Sequence, residues 1–190
     1  AYWIISLFAA LVGFYIFFMP ESPTPTHSQS QQSLERPRSP RLDRVFIIAA
    51  ALFLFFYVSA EITYSGWLYT YAFTLNLADA VQAAYLTSSF WFSFTLGRLI
   101  AIPISTRLKP RQMILVALMG SIVFILLLIF IPSSEIVLWV ATISLGFFMA
   151  PVYATGYTLA GQSIQLTGRN SGIILLGDSF GTLILPTLVG

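Results

Sequence analysis

Six stretches of this chain, Tyr2–Met19, Val45–Phe73, Ala80–Ser105, Met113–Ile131, Glu135–Leu159 and Asn170–Gly190, are apolar over the length a lipid bilayer demands. A spanning helix needs about 20 such residues, and only a helix or a closed barrel satisfies its own backbone polar groups in hydrocarbon. The sequence therefore predicts an all-α polytopic membrane protein with six transmembrane helices. Charged residues make up 8% of the 190 positions and hydrophobic ones 57%, against roughly 25% charged in an ordinary soluble domain. The two longest stretches exceed a bilayer's requirement, which implies tilt, a break or extension into the headgroups.

Composition closes several other routes. Cysteine is absent and the single histidine, His27, stands in a polar segment, so disulfides, thiol nucleophiles, zinc clusters and Ser-His-Asp triads have no basis in the sequence. No patch interleaves basic with aromatic residues, so nucleic acid is not expected as a partner. The chain opens on Ala1 in an apolar run without a basic n-region and closes on Gly190 in another. That reads as an internal piece of a longer protein, with no signal peptide.

Basic residues in short loops mark the cytoplasmic side. Arg36, Arg38, Arg41 and Arg44 fall in the first connection, Arg107, Lys109 and Arg111 in the third and Arg169 in the fifth, while the second and fourth hold none. Odd connections are thus expected inside. Residues 20–44 are rich in Ser, Pro and Gln and poor in bulky apolar side chains, which predicts a disordered cytoplasmic linker. A long connector separates packing units. Residues 1–19 are accordingly assigned to a preceding bundle and 45–190 to a second one of five helices.

Ionisable residues inside spanning helices carry the functional signal, because each costs roughly 2.5–3.5 kcal/mol at mid-bilayer and so turns toward a protein interior or a substrate or ion path. Here they are Glu61, Arg98 and Asp178. In the second stretch Tyr57, Glu61, Tyr64, Ser65, Leu68 and Tyr71 share one helical face. Aromatic rings beside a carboxylate suit a sugar, and Gly66 next to Trp67 would let the helix bend or unwind there. Ser88, Trp91, Thr95 and Arg98 form a similar stripe in the third. Arg98 and Asp178 fall at matching depths, which suggests a buried pair, direct or through water, with Glu61 much farther out. Snorkelling of Arg98 to the inner surface is an equal alternative. Gly146, Pro151 and Gly156, and Gly177, Gly181 and Pro186, mark two helices for kinks.

The stretch GRLIAIPISTRLKPRQMIL, 97–115, resembles the loop between the second and third helices of a six-helix half in the major facilitator superfamily; Arg107 and Arg111 match its basic positions and Lys109 lies between them, while Thr106 stands where that loop has an acid. The runs YVSAEITYSGWLYTYAF and SSFWFSFTLGRL, 57–73 and 88–99, are similar to the first two helices of the C-terminal half in the branch that holds fucose permeases and sodium-dependent glucose transporter-like proteins, and GFFMAPVYATGY, 146–157, to the fourth. The resemblance implies part of a twelve-helix transporter: the sixth helix, the central loop and most of the C-terminal half, with the other half missing.

The expected function is alternating-access transport of a sugar or similar small polar solute, with a hexose as the solute and Na+ or H+ as the coupling ion where there is one, at the plasma membrane. Glu61, Tyr64, Trp67, Ser88, Trp91 and Tyr153 are the expected pathway residues, Arg98 and Asp178 the gate or buried charge pair, and Arg107, Lys109 and Arg111 the cytoplasmic loop motif. No cofactor, metal or enzymatic activity is expected. The rival readings are an antiporter of drugs or organic solutes, favoured by 17 phenylalanines, and a membrane scaffold or receptor that transports nothing.

Overall fold

The computed structural model describes residues 40–164 and 166–189. The expected helix Tyr2–Met19 and most of the expected linker, 20–39, lie outside them. The described chain is a succession of α-helices: α1 Pro40–Thr74, α2 Ala80–Ser105, α3 Pro110–Phe130, α4 Glu135–Met149, α5 Val152–Ser163 and α6 Gly168–Val189. Among the described residues four segments are long and apolar enough to cross a membrane: 41–74, 110–130, 135–163 and 168–189. At 26 residues α2 is also long enough, but Thr87, Ser88, Ser89, Ser93, Thr95 and Arg98 make it more polar than its neighbours.

Local chemistry sets the helix ends. Asp79 accepts from the Gln82 amide at 2.7 Å and its own amide donates to Gln82 Oε1 at 3.0 Å, a reciprocal cap that starts α2. Pro110 opens α3, where a missing N–H costs nothing, and Ser134 Oγ accepts from the Val137 amide to begin α4. Asn76, at φ 54°, turns the chain between α1 and α2.

Two expectations change at this level. The first described helix begins at Pro40, so Pro40–Arg44 belong to a helix rather than to the linker; a charged first turn escapes a hydropathy reading but is still a good helix start. The expected helix Glu135–Leu159 divides into α4 and α5 at Ala150–Pro151. Both residues keep right-handed turn geometry, φ −50° and ψ −46° at Ala150 and φ −79° and ψ −14° at Pro151, so the division is a kink and not an unwound loop. Pro151 has no N–H to offer the Phe147 carbonyl. By contrast α1 runs unbroken through Gly66, so the helix does not unwind there.

Lipid tails are as apolar as leucine, so helices in a membrane associate through close packing of small residues. Glycines mark the two parallel seams. On α6, a Cβ at Gly177 would meet the backbone of Ala51 and one at Gly181 the Phe55 carbonyl, and Ser59 Oγ donates to the Gly181 carbonyl at 2.9 Å. Between α2 and α4, Gly97 lies against the Phe147 carbonyl and Ala150, and Gly146 against Phe90 and Ser93. Phe90, Leu86, Leu138 and Leu145 fill the interior there, and Leu54 meets Ile174 in a second cluster between α1 and α6. Strict alternation of direction puts Arg41, Arg44, Arg107, Lys109, Arg111 and Arg169 at one end of the bundle.

Candidate functional site

The kink at Ala150–Pro151 is the centre of the site. Tyr57, from α1, donates its hydroxyl to the carbonyl of Met149, the last residue of α4, at 2.7 Å. Glu61 follows one turn along the same face of α1, beside the Tyr57 hydroxyl, and only 7% of it is exposed. From α5, just past the kink, Tyr153 donates to Asp178 Oδ2 of α6 at 3.3 Å. From α2, Arg98 lays its guanidinium 4.5 Å from the centre of the Phe94 ring, a cation–π contact. Glu61 lies in the electrostatic field of both Arg98 and Asp178.

The expected buried pair of Arg98 and Asp178 changes in two respects: Arg98 is exposed, and among the described residues no direct ion pair joins it to the half-buried Asp178. Arg98 is turned onto Phe94 and Asp178 onto Tyr153, and Tyr153 feels both charges. Glu61 does lie farther out along α1. Along the parallel α1–α6 seam Asp178 falls near the level of Leu52, about two and a half turns nearer the basic end than Glu61. A helical side chain leans toward its own N-terminus, however, and this brings the Glu61 carboxyl back toward Tyr57 and the other charges.

The remaining expected residues divide. Tyr64 shares a hydrogen bond with Thr142 Oγ1 at 2.8 Å and packs against Phe90, so it ties α1 to α4 and α2. Trp91 meets Phe90 and Phe94 edge-on at 5.3 and 5.6 Å, extending an aromatic row that ends under Arg98. Trp67 and Ser88 are exposed and outside this cluster; Ser88 Oγ donates to the Ala84 carbonyl of its own helix. Arg107, Lys109 and Arg111 are exposed around the α2–α3 connection. Tyr57, on the face of α1 that carries Glu61 but not among the expected pathway residues, joins the site through its bond to Met149.

A cavity of about 750 Å³ opens beside the kink, lined by Arg98 and Ser105 of α2, Met113 of α3, and Tyr153, Thr158 and Gln162 of α5 among others. Its lining runs along α2 from Arg98 to Ser105 and along α5 from Tyr153 to Gln162. Among the described residues no group of three acidic or histidine side chains is placed to hold a metal ion.

The family profile described as Major Facilitator Superfamily matches residues 1–186. The chain belongs to the major facilitator superfamily. Within that superfamily it is 31% identical over its whole length to the mouse protein named sodium-dependent glucose transporter 1A, of which it spans 45%, and 30% identical over its whole length to human sodium-dependent glucose transporter 1, of which it spans 37%. Over 75% of its length it is 35% identical to human major facilitator superfamily domain-containing protein 4A, of which it spans 28%. The chain thus spans less than half of these relatives. No solved structure matches it. As a member of this superfamily with several helices apolar enough to cross a membrane, the chain is an integral, multi-pass membrane protein.

Proposed function

We propose that this chain is the sixth helix, central loop and most of the C-terminal half of a twelve-helix transporter that moves a sugar or similar small polar solute by alternating access. The missing N-terminal half of the same protein would complete the pathway. The membrane is the plasma membrane, and residues 20–44 and the basic end face the cytoplasm. The observation that carries this reading is Glu61, sheltered inside the bundle against Tyr57 at a helix kink, with Arg98 and Asp178 close by. A carboxyl kept at that depth belongs to a solute or ion path, and kinked helices supply the moving parts of such paths. The names of the relatives point to a hexose as solute and to Na+ as coupling ion, with H+ or plain facilitated diffusion as the other modes.

The test is uptake by the complete transporter in liposomes, with labelled hexoses offered under a Na+ gradient, a pH gradient or neither. The expected result is saturable hexose uptake, reduced about tenfold or more in Glu61→Gln at equal protein content, as for loss of one charged contact. Uptake unchanged in that variant and unaffected by either gradient would remove Glu61 from the pathway. The mostly apolar cavity and the row Phe90, Trp91 and Phe94 favour a second reading, antiport of a lipophilic organic solute. Lipophilic cations would then compete and hexoses would not.

A further inference from the structure

The geometry points to Tyr57 as a positioning residue that reports the protonation state of Glu61 to the α4–α5 kink by donating its single hydroxyl hydrogen to either Met149 or Glu61. This inference rests on the proposed transport role of the Glu61 site and adds to it the part that links the site to movement.

A phenol has one hydrogen to give. Here it goes to the Met149 carbonyl at 2.7 Å, which leaves only oxygen lone pairs for the Glu61 carboxyl beside it. A protonated carboxyl fits that arrangement, since its O–H points at the Tyr57 oxygen. An ionised carboxylate is an acceptor only, and it attracts a donor about twice as strongly as a neutral carbonyl does. When Glu61 releases its proton to water, the Tyr57 hydroxyl turns onto the carboxylate and leaves Met149. No covalent bond changes beyond that O–H. The kink would lose this hydrogen bond to α1 where Pro151 has already removed the helix's own hydrogen bond to Phe147. The other charged or titratable groups facing this cluster are Arg98 from α2, Tyr153 from α5 and Asp178 from α6. Among the described residues no ion pair joins Glu61 to Arg98, and the Tyr57 hydroxyl is a donor within reach of an ionised Glu61.

The test uses the complete transporter in liposomes, without solute, with other cysteines replaced; the present chain contributes none. One reporter is Ala154→Cys, on the cavity wall just past the kink, and the other is Ser105→Cys on the facing wall. The ratio of their alkylation rates by a small maleimide cancels the thiol's own pH dependence. Between about pH 4 and about pH 8, a span that starts near the ordinary glutamate value and runs well above it, the ratio should change about fivefold and be flat in Tyr57→Phe, in Glu61→Gln and in the double variant. A ratio that is flat before any substitution at Tyr57 or Glu61, or a full pH response in Tyr57→Phe, overturns the inference. Should Tyr57→Phe fail to reach the membrane, 3,5-difluorotyrosine at position 57 keeps the shape and makes a more acidic donor. The pH midpoint should then move by about half a unit or more, and an unmoved midpoint overturns the inference as well. Because no solute enters the assay, a wrong solute class shows itself in the uptake experiment and not in this one.

Discussion

Tyr153 reaches from α5 to Asp178 Oδ2 of α6 at 3.3 Å, so the segment beyond the kink is held to the helix that shares a glycine seam with α1. A hydrogen bond to a charged group contributes roughly 1.5–3 kcal/mol. This one is long and half-buried, which places it at the lower end. Tyr153→Phe should leave the amount of folded protein unchanged and alter initial uptake by about tenfold. Transport by the purified variant in liposomes, normalised to protein, is the check, and a rate equal to that of the parent shows that the contact has no part in the cycle.

Gly177 and Gly66 make a matched pair of tests. A side chain at Gly177 would strike the Ala51 backbone across the α1–α6 seam, whereas Gly66 has nothing within 4 Å of where its Cβ would be. Backbone atoms cannot swing aside, so Gly177→Val should cost about 1–3 kcal/mol or more and lower the melting temperature in detergent by several degrees. Gly66→Ala should be neutral or stabilise by up to about 1 kcal/mol, as alanine for glycine does within a helix. Loss of uptake in Gly66→Ala with normal stability would restore the idea of a flexible joint there, which the continuous α1 does not support.

How far the sequence could reach follows from which forces it displays. The bounds Ala80–Ser105 are visible in it because a capping aspartate and an apolar run coincide there. The start of α1 at Pro40 is not, because Arg41, Asp43 and Arg44 look like linker when only hydropathy is read. Pro151 declares a kink, but nothing local says which group covers the carbonyls around it: Tyr57 is 92 residues from Met149, and that pairing exists only once α1 and α4 have packed. Trp67 is six residues from Glu61, well round the helix from it, and its exposure outside the cluster follows. Serine at Ser88 looks like a cavity residue, yet its hydroxyl is satisfied within one turn of its own helix, a habit of serine in helices that spacing cannot reveal.

Tyr64 and Thr142 offer a measurement of what a polar contact is worth in this bundle. Their hydroxyls are 2.8 Å apart and join α1 to α4. Interhelical hydrogen bonds in membrane proteins average about 0.6 kcal/mol and reach about 1.7. The cycle of Tyr64→Phe, Thr142→Val and the double variant should give a coupling within that range, read from reversible unfolding in mixed micelles. A coupling near zero would make the pair a packing contact only.

Pro151→Ala tests the kink itself. An alanine N–H would return a donor to the Phe147 carbonyl, which at present faces the bare Cα of Gly97, and would remove the clash that proline imposes on the preceding turn. Helix α4 should then run on into α5 as one span, with a gain in stability. The gain should fall below the roughly 3 kcal/mol that proline costs inside an ordinary helix, because the close approach of Gly97 and Ala150 has already adapted to the kink. Transport should slow by about tenfold or more if the kink is where the cycle flexes. Melting temperature and uptake measured on the same preparation decide the matter: a more stable protein that transports more slowly marks Pro151 as a joint, and a more stable protein with undiminished uptake marks it as a packing feature of the α2–α4 seam.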